Sequence, residues 1–284
     1  MSERLAVRKT YKLYIGGAFP RSESGRTYPV TDTKGRFLAN ASQASRKDVR
    51  DAVTAARKAQ PGWSARTAYN RAQILYRIAE MLEGRRDQFI TEVRHGGASK
   101  THAAAQVDAA IDRWVWYAGW ADKITAVTGA ANPVTGPYFN FSTPEPTGIV
   151  AIAAPDDPLL GLVSVLAPAI VTGNTTVVIA SEPAPLPAIT LAEVLATSDL
   201  PGGVVNILTG HRTELAPWLA SHMDVNAIDL TGVAPDQAPE LERAAAGNLK
   251  RVLRSAGADW AAAPGIDRMT AFLETKTVWH PVGI

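Results

Sequence analysis

Among the residues that can do chemistry, Asp156 and Asp157 come first, because these adjacent carboxylates sit between Pro155 and Pro158 after an apolar run. Neighbouring carboxyls can divide acid and base roles when their environments push their pKa values apart. The plainer reading is a solvated turn that caps the helix that follows. The rest of the inventory is sparse. The chain has no cysteine, which excludes disulfides, thiolate metal ligands and a sulfur nucleophile within these residues. The five histidines are His95, His102, His211, His222 and His280, and none has the spacing of a zinc motif such as HExxH. There is no Gly-x-Ser-x-Gly elbow, no histidine is placed beside a particular serine, and Ser164 lies in an apolar helical run that favours packing. Trp114, Trp116, Tyr117 and Trp120 suggest a stacking platform, but at helical spacing they read as core and subunit contact.

The elements that position these groups begin with short extended segments, Leu13–Ile15 before Gly16-Gly17 and a second strand from Gly25 to Val30. Ser45 with Asp48 three residues on opens a helix whose apolar face is Val49, Ala52, Val53 and Ala56, and Pro61-Gly62 is expected to break it. The spacing predicts one helix from Tyr69 to Arg94, ended by Gly96-Gly97. Another is expected from Lys100 to Lys123, with Val107, Ile111, Trp114, Val115 and Ala118 facing inward. Turn chemistry between Val127 and Pro146 flanks a short strand, Tyr138–Phe141.

After that the pattern alternates. Strands at 148–152, 175–179, 204–208 and 227–230 are separated by helices at 160–171, 186–197 and 213–221. This rhythm means a parallel α/β sheet with ligands at the carboxyl ends of its strands. Residues 269–279 read as one more strand.

Composition narrows the class. The 284 residues are 46% hydrophobic and 20% charged, with a formal net charge of +2 and neither sign clustered. That argues against nucleic acid or an anionic membrane as the main partner. Met1-Ser-Glu-Arg lacks a signal peptide's apolar core and Leu159–Val171 is too short to span a bilayer, so the expectation is a cytoplasmic protein.

Several segments, in order, carry a resemblance. They are Leu13-Tyr-Ile-Gly-Gly17, Asp48–Arg57 with Trp63, Arg71–Leu75 with Ile78-Ala-Glu80, Pro146–Val150, Gly173–Val178, Leu200–Asn206 and Thr231-Gly232. Together the chain resembles the aldehyde dehydrogenase superfamily over nearly its whole length. The resemblance implies an α/β fold: a helical N-terminal region, a parallel Rossmann-like nucleotide-binding sheet and a small β oligomerisation arm. It divides the chain into N-terminal strands and helices (1–126), an oligomerisation hairpin (127–146), a Rossmann-like region (147–258) and a C-terminal oligomerisation strand (259–284).

Departures from the family pattern bear on activity. The family's Pro-Trp-Asn-Phe-Pro, whose asparagine donates to a developing oxyanion, stands here as Pro155-Asp-Asp-Pro158, and a carboxylate accepts rather than donates. Its Lys-Pro-Ser-Glu, which holds the adenosine ribose, is Ile179-Ala-Ser-Glu182. Loss of that lysine removes hydrogen bonds of roughly 1.5–3 kcal/mol, about 10- to 150-fold in affinity. The phosphate loop Thr-Gly-Ser is Thr231-Gly232-Val233, with Pro235 following. The general-base segment aligns with Ser255–Ala258, so the base is replaced by Ser255 or displaced by Arg254.

From Gly257 the chain passes within about ten residues to 269–278, which resembles the family's C-terminal strand, without the cysteine-bearing domain between; this looks similar to the incomplete second module of two-module aldehyde dehydrogenases. Losing a covalent nucleophile costs on the order of 10⁶ in rate, roughly 8 kcal/mol.

The expectation is a non-catalytic structural or regulatory subunit, a pseudoenzyme. It would pair with itself or with a complete aldehyde dehydrogenase through the hairpin arm and C-terminal strand. Catalytic residues and metal ligands are expected to be absent. The cofactor is none, or weak NAD(P) at a vestigial site of Ser181, Glu182, Thr231 and Gly232. Two other readings stay open: a dehydrogenase acting with a partner's thiol, and a nucleotide-binding module without chemistry.

Overall fold

The computed structural model describes residues 9–254 and 257–283. A hairpin of β1 (Thr27–Thr31) and β2 (Phe37–Ser42) leads into α1 (Arg46–Ser64). The start of α1 is the expected capping box: Ser45 Oγ accepts from the Lys47 and Asp48 amides, and Asp48 Oδ2 accepts from Ser45 N at 2.8 Å. Pro61 does not break α1. The helix continues past it for three more residues despite the lost N–H, so that Trp63 is buried with Nε1 donating to Ile170 O at 2.9 Å.

The expected single helix from 69 to 94 is two, α2 (Ala68–Glu83) and α3 (Arg86–Arg94). The chain breaks at Gly84-Arg85, and Arg85 Nη2 reaches Glu193 at 2.6 Å. The third helix also ends early: α4 (Lys100–Ala118) is followed by a turn and a short α5 (Ile124–Thr128). On α4, Trp114 and Tyr117 are buried, whereas Val115, expected inward, is 40% exposed. Trp116 and Trp120 are half-buried and pack against each other.

Two sheets follow. The smaller contains β3 (Ala130–Asn132) and β4 (Tyr138–Pro146), and its other edge is the C-terminal β10 (Leu273–Pro281), giving the order β10-β4-β3. The tail therefore begins not as a strand but as α10 (Asp267–Thr270), because Met269 and Phe272 are fully buried before β10 starts.

The larger sheet is built from β5 (Ile149–Ala153), β6 (Thr175–Ile179), β7 (Val205–Leu208), β8 (Ala227–Asp229) and β9 (Arg251–Leu253). All its pairings are parallel and the order is β7-β6-β5-β8-β9. The connecting helices are α6 (Leu160–Val171), α7 (Leu186–Ala196), α8 (Arg212–Ser221) and α9 (Ala238–Ala245). Helices on both faces explain why every residue of β5, β6, β7 and β8 is buried. Alternate residues of β5 feed opposite cores: Val150 and Ile152 join α2, α4, α6 and α7, while Ile149 and Ala151 join α1, α8 and α9. Leu13–Ile15 makes isolated bridges instead of a strand; Tyr14 exchanges backbone hydrogen bonds with Ile207 at 2.9 and 2.7 Å. Gly17 is required there, since at φ +84° a Cβ would lie 2.9 Å from Gly202 Cα.

Candidate functional site

The strand order reverses at β5, so the crevice for a ligand lies outside the carboxyl ends of β5, β6 and β8. There the chain leaves β5 through Pro155 to Asp156 and Asp157, which point to different tasks. Asp157 Oδ1 accepts from Gly161 N at 2.7 Å, capping α6, and its Oδ2 accepts from Gln106 Nε2 at 3.2 Å. Asp156 Oδ1 accepts from Arg212 Nη2 at 2.9 Å and from Ser181 Oγ at 3.3 Å. The two carboxyls share no hydrogen bond among those described, so the geometry favours the capping turn over an acid/base pair.

Arg212 is the first residue of α8, and its side chain is 14% exposed. Its Nη2 also donates to Ala154 O at 3.0 Å, so the guanidinium lies across the end of β5. Glu182, after β6, accepts from His211 Nδ1 at 2.7 Å and from Arg212 N at 3.1 Å. Burial pushes the Glu182 carboxyl up, but these donors outweigh it and hold it below the usual carboxylate range. Ser181 is buried and also accepts from Ala184 N at 3.3 Å.

The far side of the crevice is equally occupied. Asp229, at the end of β8, is fully buried; its Oδ1 accepts from Thr231 N at 2.9 Å and from the Thr231 hydroxyl. Arg268 Nη1 donates to Asp229 Oδ2 at 2.7 Å and its Nη2 to Thr231 Oγ1 at 3.0 Å. Burial pushes the Asp229 carboxyl up, against the pull of Arg268 and Thr231. Gly232 N donates to Ala153 O at 2.9 Å, which lays this loop on the end of β5. A Cβ at Gly232 would come 2.0 Å from Ala154 O, so only glycine permits the approach.

Arg113, from α4, is a buried guanidinium. Its Nη1 donates to Ser164 Oγ at 2.5 Å, and its Nη2 to Trp260 O at 2.9 Å and Ala262 O at 2.8 Å. Burial lowers its pKa, against the opposing pull of Tyr117 and Asp157. Ser164 is thus an acceptor under a structural arginine. Arg254 pairs with Glu242 at 2.8 Å, while Ser255 lies outside the described residues.

A model of the aldehyde dehydrogenase family matches residues 19–262. The chain belongs to the aldehyde dehydrogenase family. It is 35% identical over 259 residues to aldehyde dehydrogenase, cytosolic 1, of Elephantulus edwardii, covering 87% of this chain and 50% of that protein. Among solved structures it superimposes with a TM-score of 0.83 on an NAD+ complex of aldehyde dehydrogenase from Bacillus cereus, at 27% identity over 88% of this chain and 51% of that one. HpcC from Thermus thermophilus gives the same TM-score at 32% identity, covering 88% of this chain and 48% of its own. The chain spans about half the length of the curated relatives it matches.

The structure brings Ser181 and Glu182 together around Arg212, and Thr231 and Gly232 around Arg268 and the end of β5. Sequence reasoning missed Arg113, Arg212 and Arg268. One signal was available for Arg212: a cation in the first turn of a helix opposes the helix dipole and needs a separate reason to be there.

Proposed function

We propose that this chain is a non-catalytic structural or regulatory member of the aldehyde dehydrogenase family. The observation that carries the reading is the crevice itself. Where the Bacillus cereus relative is an NAD+ complex, the groups expected to hold a nucleotide here are already committed. Glu182 is taken by His211 and Arg212, Ser181 by Asp156, and Thr231 by Asp229 and Arg268. A dinucleotide would have to displace two arginines and break their ion pairs, so these residues do not fit the family's cofactor.

Composition supports the same reading. No cysteine is present in the 284 residues, and Asp156 and Asp157 stand where an oxyanion donor is needed. The partner would be a second copy of the chain or a complete aldehyde dehydrogenase. The β10-β4-β3 sheet supports this: β10 is a nine-residue edge strand, and Tyr138, Phe139 and Trp279 on the sheet are about half exposed. No helix among the described residues is long and apolar enough to cross a membrane. The cytosolic naming of the Elephantulus relative favours a cytoplasmic location.

Light scattering after size exclusion, on the protein alone and mixed with a complete aldehyde dehydrogenase, tests this together with NAD+ titration. Self-assembly or co-elution without NAD+ binding is expected. A monomer that ignores the enzyme, or tight NAD+ binding with aldehyde turnover, would overturn it.

A further inference from the structure

β10 (Leu273–Pro281) is a nine-residue strand whose inner edge pairs with β4 and whose outer edge has no strand beside it among the described residues. Only Leu273 in it is buried, and Val278 is half-buried. Strand edges left open are usually blunted by a bulge, a proline or an unpaired lysine. None of these protects β10. Its nine pairs with β4 run without a register shift, whereas β1 and β2 shift between Val30 and Thr31. Its proline, Pro281, stands at the far end. Lys276 is drawn to Glu145 on β4 at 2.9 Å, and Glu274 to Arg251 at 2.5 Å, so neither stands as a free charge. Such an edge is a template for another strand.

The sequence of β10 suits its own copy. A closed two-fold pairs two identical edges antiparallel, since a residue that meets another must itself be met by it. Side chains keep to their own faces only when the axis passes through a residue, not between two. An axis at Lys276 sets two lysines opposite each other, which is repulsive. An axis at Val278 brings Lys276 against His280 and leaves Leu273 and Glu274 unpaired. An axis at Thr277 pairs the whole strand: Glu274 meets His280 of the second copy, Thr275 meets Trp279, Lys276 meets Val278 and the two Thr277 meet each other. A carboxylate accepts from an imidazole N–H, and aromatic with β-branched and threonine with threonine are favourable cross-strand pairs. We propose that a second copy of this chain adds to the edge of β10, antiparallel and centred on Thr277, so that the two β10-β4-β3 sheets become one. This rests on the subunit reading and names its partner.

The 284 residues contain no cysteine, so Thr277→Cys supplies the protein's sole thiol. Across the axis two such residues have Cα atoms about 4.5–5.5 Å apart, within the roughly 4.4–6.8 Å that a disulfide spans. Thr275→Cys is the control on the same face, because its two copies stand roughly 14 Å apart along the strand. Light scattering on the full chain is expected to give a dimer, and diamide to cross-link most of the Thr277→Cys protein but not the Thr275→Cys protein. Amide exchange on the unaltered chain asks the same without a variant, and slower exchange along β10 as concentration rises supports the pairing. A dimer that cross-links equally at both positions, or at neither, overturns the pairing and leaves the subunit reading. So does a monomer that co-elutes with a complete aldehyde dehydrogenase, or β10 exchange that ignores concentration. A monomer that also ignores that enzyme overturns both.

Discussion

Arg212 Nη2 lies 2.9 Å from Asp156 Oδ1, closing the end of β5 with a side chain far less exposed than its partner, 14% against 61%. The pair is weak as a stabiliser, because the aspartate is bathed in water, and contributes about 0–1 kcal/mol. Its consequence is steric and electrostatic. Arg212→Ala should therefore leave urea stability within about 1 kcal/mol of the parent. Opening the crevice while leaving Glu182 in place, it should raise NAD+ affinity above the wild-type value. Calorimetry on both proteins checks this, and identical NAD+ titrations would mean that Arg212 is not what excludes the nucleotide.

The Arg268–Asp229 pair behaves differently because Asp229 is fully buried. Arg268→Met leaves an uncompensated buried carboxylate, a loss of about 3–5 kcal/mol at neutral pH. The sign with pH follows from the direction of the shift. Burial already raises Asp229, and removing the cation raises it further, so the folded state binds a proton more tightly than the unfolded chain. Stability from such a group is full below the unfolded pKa and drains away as pH rises through the folded one. The variant should thus recover stability on mild acidification, and Asp229→Asn in the same background should abolish that recovery. Urea melts at neutral and mildly acidic pH read both effects; an equal deficit at the two pH values would contradict the argument.

These ion pairs mark the limit of what the sequence could disclose. The Rossmann-like sheet was legible because β5 is apolar on both faces, β6 is β-branched throughout and both are bounded by turn residues, and the Ser45–Asp48 capping box was legible because its partners are three residues apart. Arg212 and Asp156 are 56 positions apart, and Arg268 and Asp229 are 39. Nothing in local spacing links such residues. The helix boundary at Gly84-Arg85 was hidden for a related reason: the apolar period continues through it, and a tertiary contact of Arg85 with Glu193 fixes the break. The short β9 (Arg251–Leu253) lies at the sheet's edge, where partial exposure weakens the apolar signal that marks a buried strand.

Arg113 ties the segment around Trp260 to α4. Its guanidinium satisfies two carbonyls of that segment and packs beneath the loop that follows Gly257. Arg113→Met keeps the apolar stem but drops all three described hydrogen bonds, a loss of about 1.5–4.5 kcal/mol if each contributes its usual share. The change should be local. Amide exchange across residues 259–265 is expected to accelerate while β5 and β6 stay protected, and protease cutting should concentrate in the same segment. Uniform acceleration over the whole sheet would show that Arg113 supports the core and not the loop.

The last expectation concerns the small sheet, which is exposed on both faces. Trp279 stands opposite Asn140 in the β10–β4 register and meets Tyr138 edge-on at 5.8 Å, while Phe139 stands opposite His280 on the other face. Trp279 is 58% exposed and Phe139 is 52% exposed. Aromatic residues on both faces of a thin sheet gain little as surface, but they are suitable anchors for a partner. Truncating such an anchor costs about 2 kcal/mol or more of association, near 30-fold in affinity. Trp279→Ser should accordingly shift any self-assembly toward monomer and weaken co-elution with a complete aldehyde dehydrogenase. Monomer stability should move by no more than about 0.5 kcal/mol, since the ring is mostly in solvent. Light scattering across a dilution series checks the assembly and urea melts check the fold. An unchanged mass would place the interface elsewhere on the molecule.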